Sequence, residues 1–370
     1  MKRNNGLSLL RIISMCGIIG LHLINNGGVI NNLNLYSFKF FCILIVTTFF
    51  YTSVNVFALL TGYLNVNKSN NKYYRIIELI SVSVFYCFFI SIIFYSFNLF
   101  NIRSFGKKEL IISLFPVLVG RYWYLTCYVF LFFFIPFLNR FVHKITKNNL
   151  KKMLIIGFVL LSVIPNIFGM IDFFKIENGY SPFWLIYLYL VGAYIRLYYD
   201  NLNLKNKYIK YIFIILIFTS ILNYLSRIIS FILFNRIIVA EWFIGYTSPF
   251  IIILSILLLL FYKDISIKNV FFTKIIDYFS NGSFSVYIIH SQKLIFDYVL
   301  HNCMLWLINY NVLFCVIIIF IFIFIIYIMC LLIDCIRVII YKIFLIDKIN
   351  EKIGYLFSKL INFEESDFND

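Results

Sequence analysis

The chain has 370 residues, 62% of them hydrophobic, 21% aromatic and only 13% charged, a balance that excludes an ordinary water-soluble domain. A net charge of +16 would point to nucleic acid in a soluble protein. Here the cations sit in short loops between apolar runs that reach about 18 residues or more, so nucleic acid is set aside and the lipid bilayer becomes the expected surroundings. The eight cysteines lie mostly within apolar runs, with no CxxC pair and no zinc-like spacing to histidine, so neither a disulfide framework nor a metal site is expected.

The first apolar stretch, Leu7 to Gly28, is long enough to enter a bilayer yet carries Arg11 and His22. These two stand eleven positions apart, three helical turns to within about 20°, so they share one face. Ser14, Met15, Ile18, Asn25 and Asn26 share or flank that stripe. The opening MKRNNG resembles a signal peptide, but no small-residue cleavage site follows and Arg11 interrupts the apolar region, so a permanent first span is expected.

Further spans are expected at about 38–64 and 76–100, then from the residues after Gly120 to Phe141. Between the last two, LIISLFPVLVGRYWYL is broken by Pro116 and Gly120 and reads as a re-entrant or interfacial piece. The remaining spans are expected up to about Met170, then at 183–198, 208–234, 242–262, 282–300 and 312–341. That makes an all-α, polytopic integral membrane protein of about ten transmembrane helices and one domain, over residues 1–345, with 346–370 as a cytoplasmic tail. Ten spans put both termini on one side, which then receives about two thirds of the 32 lysines and arginines. By the positive-inside rule that side is cytoplasmic. The richness in Asn, Lys, Ile and Phe suggests an AT-rich bacterial genome, so the expected location is the bacterial cytoplasmic membrane, crossed many times.

Arg11 lies one turn from the start of its span, and His22 lies roughly 22 Å deeper than Leu7 at 1.5 Å per residue. An arginine at the mouth suits phosphate, and a neutral imidazole suits taking a proton from an attacking hydroxyl. The blander alternatives are an Arg11 that snorkels to the headgroups and a His22 that hydrogen-bonds another span. Thr61, Gly62 and Tyr63 end the second span, and Lys72 and Arg75 follow on one helical face, where they could hold a pyrophosphate or could be ordinary loop cations. His290, with Ser285 and Tyr287, is a second candidate histidine. Glu241 beside Trp242 could orient His22, bind a sugar hydroxyl or simply mark the membrane edge. His143 and His301 read as solvated. Trp123, Tyr124 and Trp184 suit either sugar stacking or an aromatic belt.

The segment LSLLRIISMCGIIGLHL resembles the opening of the membrane-bound acyltransferase-3 family, in which arginine, ten residues and then histidine occupy the first span. FALLTGYL resembles that family's F-x-x-x-S-G-Y/F segment, with Thr61 in place of serine, and Lys72 and Arg75 resemble its following basic pair, with lysine for the first arginine. RYWYLTCYVFLFFFIPFLN, YTSPFIIILSILLLLFY and SFSVYIIHSQKLIFDYVL are similar to later segments, in order, from about residue 7 to 300.

The resemblance implies a membrane O-acyltransferase, an O-acetyltransferase most simply, that moves an acetyl group from acetyl-CoA to a hydroxyl of an envelope, capsular or exported polysaccharide or of a lipid-linked glycan. Arg11, Lys72 and Arg75 would then bind the CoA phosphates and His22 would be catalytic, as base or as transient carrier of the acyl group. Acetyl-CoA serves as donor substrate, and thioester chemistry calls for no metal, only a base and a polar site for the oxyanion. The competing classes are a transporter or flippase for lipid-linked sugars, which would spread charge over several spans, and a polysaccharide polymerase, which would carry a long outer loop.

Overall fold

The computed structural model describes residues 4–68, 73–99, 106–199, 205–238 and 240–361, and among them there is no β-strand. The helices in order are α1 (Asn5–Asn25), α2 (Phe38–Asn65), α3 (Tyr73–Ser96), α4 (Gly106–Ile112), α5 (Trp123–Lys144), α6 (Lys147–Phe158), α7 (Ile164–Ile167), α8 (Pro182–Tyr198), α9 (Lys205–Phe234), α10 (Pro249–Lys263), α11 (Val270–His290), α12 (Val312–Ile343) and α13 (Ile346–Ile361). Seven helices among the described residues are long and apolar enough to cross a membrane, counting Lys147–Ile167 as one, and α8 and α10 are shorter apolar helices. The protein is an all-α, polytopic membrane protein.

Burial ranks the helices by position. The apolar stretch of α2 is 78% buried and that of α1 61%, against 28% for α12. The central pair is therefore α1 and α2, while α12 turns Leu313, Ile317, Phe320 and Phe324 outward, where only lipid suits them. The start of α1 is fixed by side chains: Asn4 caps the Leu7 N–H at 3.1 Å and donates to the Lys263 carbonyl at 2.8 Å, and Asn5 donates to the Ile267 carbonyl and the Thr273 hydroxyl at 3.2 Å. This knots α1 to the α10–α11 connection. We call this end of the bundle near, and the end where α1 finishes far.

The α2–α8 contact depends on small residues. A β-carbon on Gly62 would stand 2.0 Å from the Tyr189 carbonyl oxygen, and one on Gly192 would stand 2.1 Å from that of Leu59. Without a hydrophobic driving force in lipid, such close backbone approach is what joins spans. Gly62→Ala is expected to push α2 off α8 and destabilise the protein by about 1–3 kcal/mol. Thermal unfolding of detergent-solubilised protein measures this, and an unchanged midpoint would refute it.

The span that includes α6 and α7 is interrupted by a π-helical stretch, Val159–Val163, just before Pro165, which has no N–H to continue the regular ladder. Residues 113–122 form irregular turns ahead of α5, in keeping with a broken piece at Pro116 and Gly120. Val117 accepts there from the Thr126 hydroxyl at 2.9 Å.

Three boundaries differ from expectation. The helix of the ninth expected span begins at Val270 rather than about Gly282 and ends at His290, so residues up to Leu300 form turns and a short π-helical stretch. Its first half escapes notice because Thr273, Lys274 and Asp277 break the apolar run ahead of Gly282. The eighth segment becomes helical only at Pro249, after turns over 240–247. Beyond a left-handed Leu345 (φ 54°), residues 346–361 form the helix α13. That helix lies on α3, with Phe357 against Tyr73 at 6.4 Å between ring centroids and Gly354 against Tyr74.

Candidate active site

Arg11 and His22 point from one face of α1 into space enclosed by α2, α5 and α11. Near the start of α1 that space is a cavity of about 380 Å³ with Arg11, Lys68 and Arg75 on its walls, joined by Thr61, Asn65 and Asn281. Arg11 Nη1 donates to the Ser280 hydroxyl at 3.4 Å. The end of α2 that carries Asn65 and Lys68 is held in place by Asn139, whose amide donates to both of their carbonyls at 3.0 and 3.2 Å and whose oxygen accepts from the Tyr189 hydroxyl at 2.6 Å. Three cations around one cavity suit a polyanionic group.

A second cavity, of about 690 Å³, opens toward the far end. Aromatic rings of Tyr51, Trp123, Tyr180 and Tyr246 line it, together with the charged Arg121, Glu241, Lys293 and Asp297. Trp123 packs against Tyr180 at 4.5 Å and stacks on Tyr246 at 6.0 Å. Arg121 is paired with Glu109, and Lys293 with Asp297 one turn on.

His22 lines both cavities, as do Ile18, Trp123, Tyr246 and Tyr287. The imidazole therefore stands where the two spaces meet, seated against Phe296 at 5.0 Å and against the His290 ring at 5.1 Å. Its Nδ1 is buried without a hydrogen-bond partner among the described residues.

The other candidates separate into groups. Thr61, Trp123, Tyr287 and Arg75 line cavities with Arg11 and His22, and Glu241 lines the far one and accepts from the Tyr51 hydroxyl. Thr61 also returns its hydroxyl to the Phe57 carbonyl at 2.9 Å. His290 lines neither cavity. It is 1% exposed, its Nδ1 bonded to the Val286 carbonyl of the preceding turn, and it meets the site through the rings of His22 and Tyr287 and through the Ser291 hydroxyl, 3.4 Å from its Nε2. Tyr63 also lines neither cavity: it is buried under Arg196, whose guanidinium donates to its hydroxyl at 3.2 Å and lies 5.1 Å from its ring. Lys72 falls outside the described residues. Trp184 is fully buried with its indole N–H bonded to Asn55, so it is core rather than a stacking platform. Both histidines read as solvated are exposed, and each still has a partner: Val66 for His143 and Asn26 for His301.

Sequence reasoning missed Lys68, Tyr51 and Tyr246. Lys68 is one of three cations in the polar run NVNKSNNKYYR and nothing local sets it apart, while the two tyrosines are hidden among 28. Among the described residues no group of three or more His, Cys, Asp or Glu side chains is arranged to hold a metal ion.

The sequence model of an acyltransferase domain matches residues 4–333. No curated protein and no solved structure matches the chain.

Proposed function

The chain belongs to the membrane-bound acyltransferase-3 family, and on that footing we propose that it moves an acetyl group from acetyl-CoA to a hydroxyl of a cell-envelope or exported polysaccharide, free or lipid-linked. The observation that carries this reading is the position of His22 on the walls of both cavities, one lined by three cations and no carboxylate and the other by aromatic rings with charges of both signs. The cationic cavity suits the phosphates of CoA, held by Arg11, Lys68 and Arg75, and Lys72 belongs to the same basic run. The aromatic cavity suits sugar rings. With ten spans and both termini cytoplasmic in a bacterial cytoplasmic membrane, the donor enters from inside and the acceptor from outside, and they meet at the imidazole.

In this scheme the acceptor oxygen attacks the thioester carbon as His22 takes the hydroxyl proton. The new C–O bond forms, the C–S bond breaks, and the proton passes to the departing CoA sulfur. The oxyanion formed on the way needs a donor close by, and Tyr287, on the wall of both cavities, is the side chain we assign to it.

The test is transfer of label from acetyl-CoA into base-labile esters of envelope glycan, using membranes with and without the protein. Label that depends on the protein supports the reading; lipid-linked sugar that crosses the bilayer without label supports a flippase instead. Arg11→Gln is expected to raise the KM for acetyl-CoA about tenfold, the scale of one charge-assisted hydrogen bond, with the acceptor KM unchanged. An unchanged donor KM would return Arg11 to the role of a headgroup anchor.

A further inference from the structure

Residues 240–242 are irregular backbone beside the far cavity, and each is fixed by a different helix. With the Asn223 amide of α9 turned to the orientation that satisfies both of its ends, its nitrogen donates to the Ala240 carbonyl at 3.3 Å and its oxygen accepts from Arg227 Nε at 3.2 Å. The carboxylate of Glu241 accepts from the Tyr51 hydroxyl of α2. Trp242 exchanges two bonds of 2.6 Å with Asn166 of α7, indole N–H to carbonyl and amide to carbonyl. Non-helical backbone near a bilayer has to find partners; here they fix the residues on either side of Glu241, and Tyr51 takes the carboxylate itself.

The surroundings give Glu241 a direction. Asn25, one turn beyond His22 on the same helix, lies against the Tyr51 hydroxyl, so a short chain of polar contacts joins the catalytic stripe to the carboxylate. Arg227 is 6% exposed, stacked 5.6 Å from the Phe40 ring, and its charge acts on Glu241 and Tyr51. The carboxylate itself is exposed on the cavity wall, on the Tyr51 and Tyr246 side of the aromatic surface. A fixed acceptor-only group next to stacking rings is the arrangement that recognises a polyol, with rings packing on its apolar face and the carboxylate accepting from its hydroxyls.

We propose that Glu241 is the acceptor-anchoring residue of the far cavity, positioned by Tyr51 and by the Arg227–Asn223 clamp, and that it binds hydroxyls of the glycan next to the one that is acylated. The proposal rests on the acyltransferase reading and adds to it the group that holds the acceptor. Arg227, Asn223 and Tyr51 are positioning residues, acting through Glu241.

The experiment measures initial rates of label transfer from acetyl-CoA to envelope polysaccharide stripped of its esters by mild base, varying each substrate in turn, with membranes containing equal amounts of each variant. Glu241→Gln is expected to raise the KM for polysaccharide at least tenfold with the KM for acetyl-CoA unchanged; Tyr51→Phe is expected to raise it about threefold, and Glu241→Asp to fall between parent and Glu241→Gln. An acceptor KM unchanged in Glu241→Gln overturns the proposal. So does a parallel rise in both KM values in Glu241→Asp and Tyr51→Phe, which would show general damage to the bundle. A parent protein that transfers no label refutes the acyltransferase reading itself, an outcome separate from a parent that works with a Glu241 that does not matter.

Discussion

His22→Ala is expected to lower acyl transfer by about 10²–10⁴-fold, the range that a positioned acid–base group supplies, while the protein stays folded in the membrane. The argument is positional. His22 is the one ionisable side chain among the described residues on the walls of both cavities besides the tyrosines Tyr246 and Tyr287, and its Nδ1 has no protein partner there to spend its hydrogen bond on. Alanine removes the ring without disturbing a hydrogen-bonded network, and the neighbours it leaves, Phe296 and His290, keep their own helices. Labelled transfer by equal amounts of parent and variant is the measurement, with unfolding temperature as control. A variant that retains more than a tenth of the parent rate would sink the assignment. His290→Ala tests the rival histidine: because that ring lines neither cavity, its loss should act indirectly, through the seats of His22 and Tyr287, and cost less.

Much of this site was legible because a helix converts spacing into direction. Arg11 and His22 are polar in an apolar run and eleven apart, so the sequence alone put them on one face of one span. Thr61, Trp123 and Tyr287 reach the cavities around His22 from three other segments and were noticed through their motifs, whereas Glu241, on the far cavity, stood out as a lone acid at a span edge. What the sequence hid is contact between distant segments. Tyr63 looked equivalent to Thr61, yet two positions on a helix turn it through about 200°, from the cavity to Arg196. The start of α11 was hidden because Thr273, Lys274 and Asp277 interrupt its apolar residues and read as a loop ahead of a span. Asn223 and Arg227 gave no signal, since a buried pair four apart on one helix has meaning only when Ala240 and Glu241 stand opposite.

Asn55→Leu is expected to destabilise the protein by about 2–4 kcal/mol, because it strands two groups that nothing else can satisfy. Asn55 sits in the middle of α2, fully buried, where its amide N–H donates to the Tyr246 carbonyl at 2.8 Å and its oxygen accepts from the Trp184 indole at 3.2 Å. Leucine fills nearly the same space and removes both bonds. An indole N–H on α8 and a carbonyl in the 240–248 turns are then left inside the bundle, where no water competes for them. The loss should also reach the chemistry, since Tyr246 is a wall of both cavities and the platform under Trp123. Unfolding of the purified protein in detergent measures the stability term, and Trp184→Phe apportions it. In the Asn55→Leu background that second change removes the orphaned indole N–H and should restore about half of the loss, whereas alone it should destabilise by stranding the Asn55 oxygen. If the two changes simply add, the Asn55–Trp184 bond does not hold α2 to α8, and the close backbone approach at Gly62 and Gly192 must do so instead.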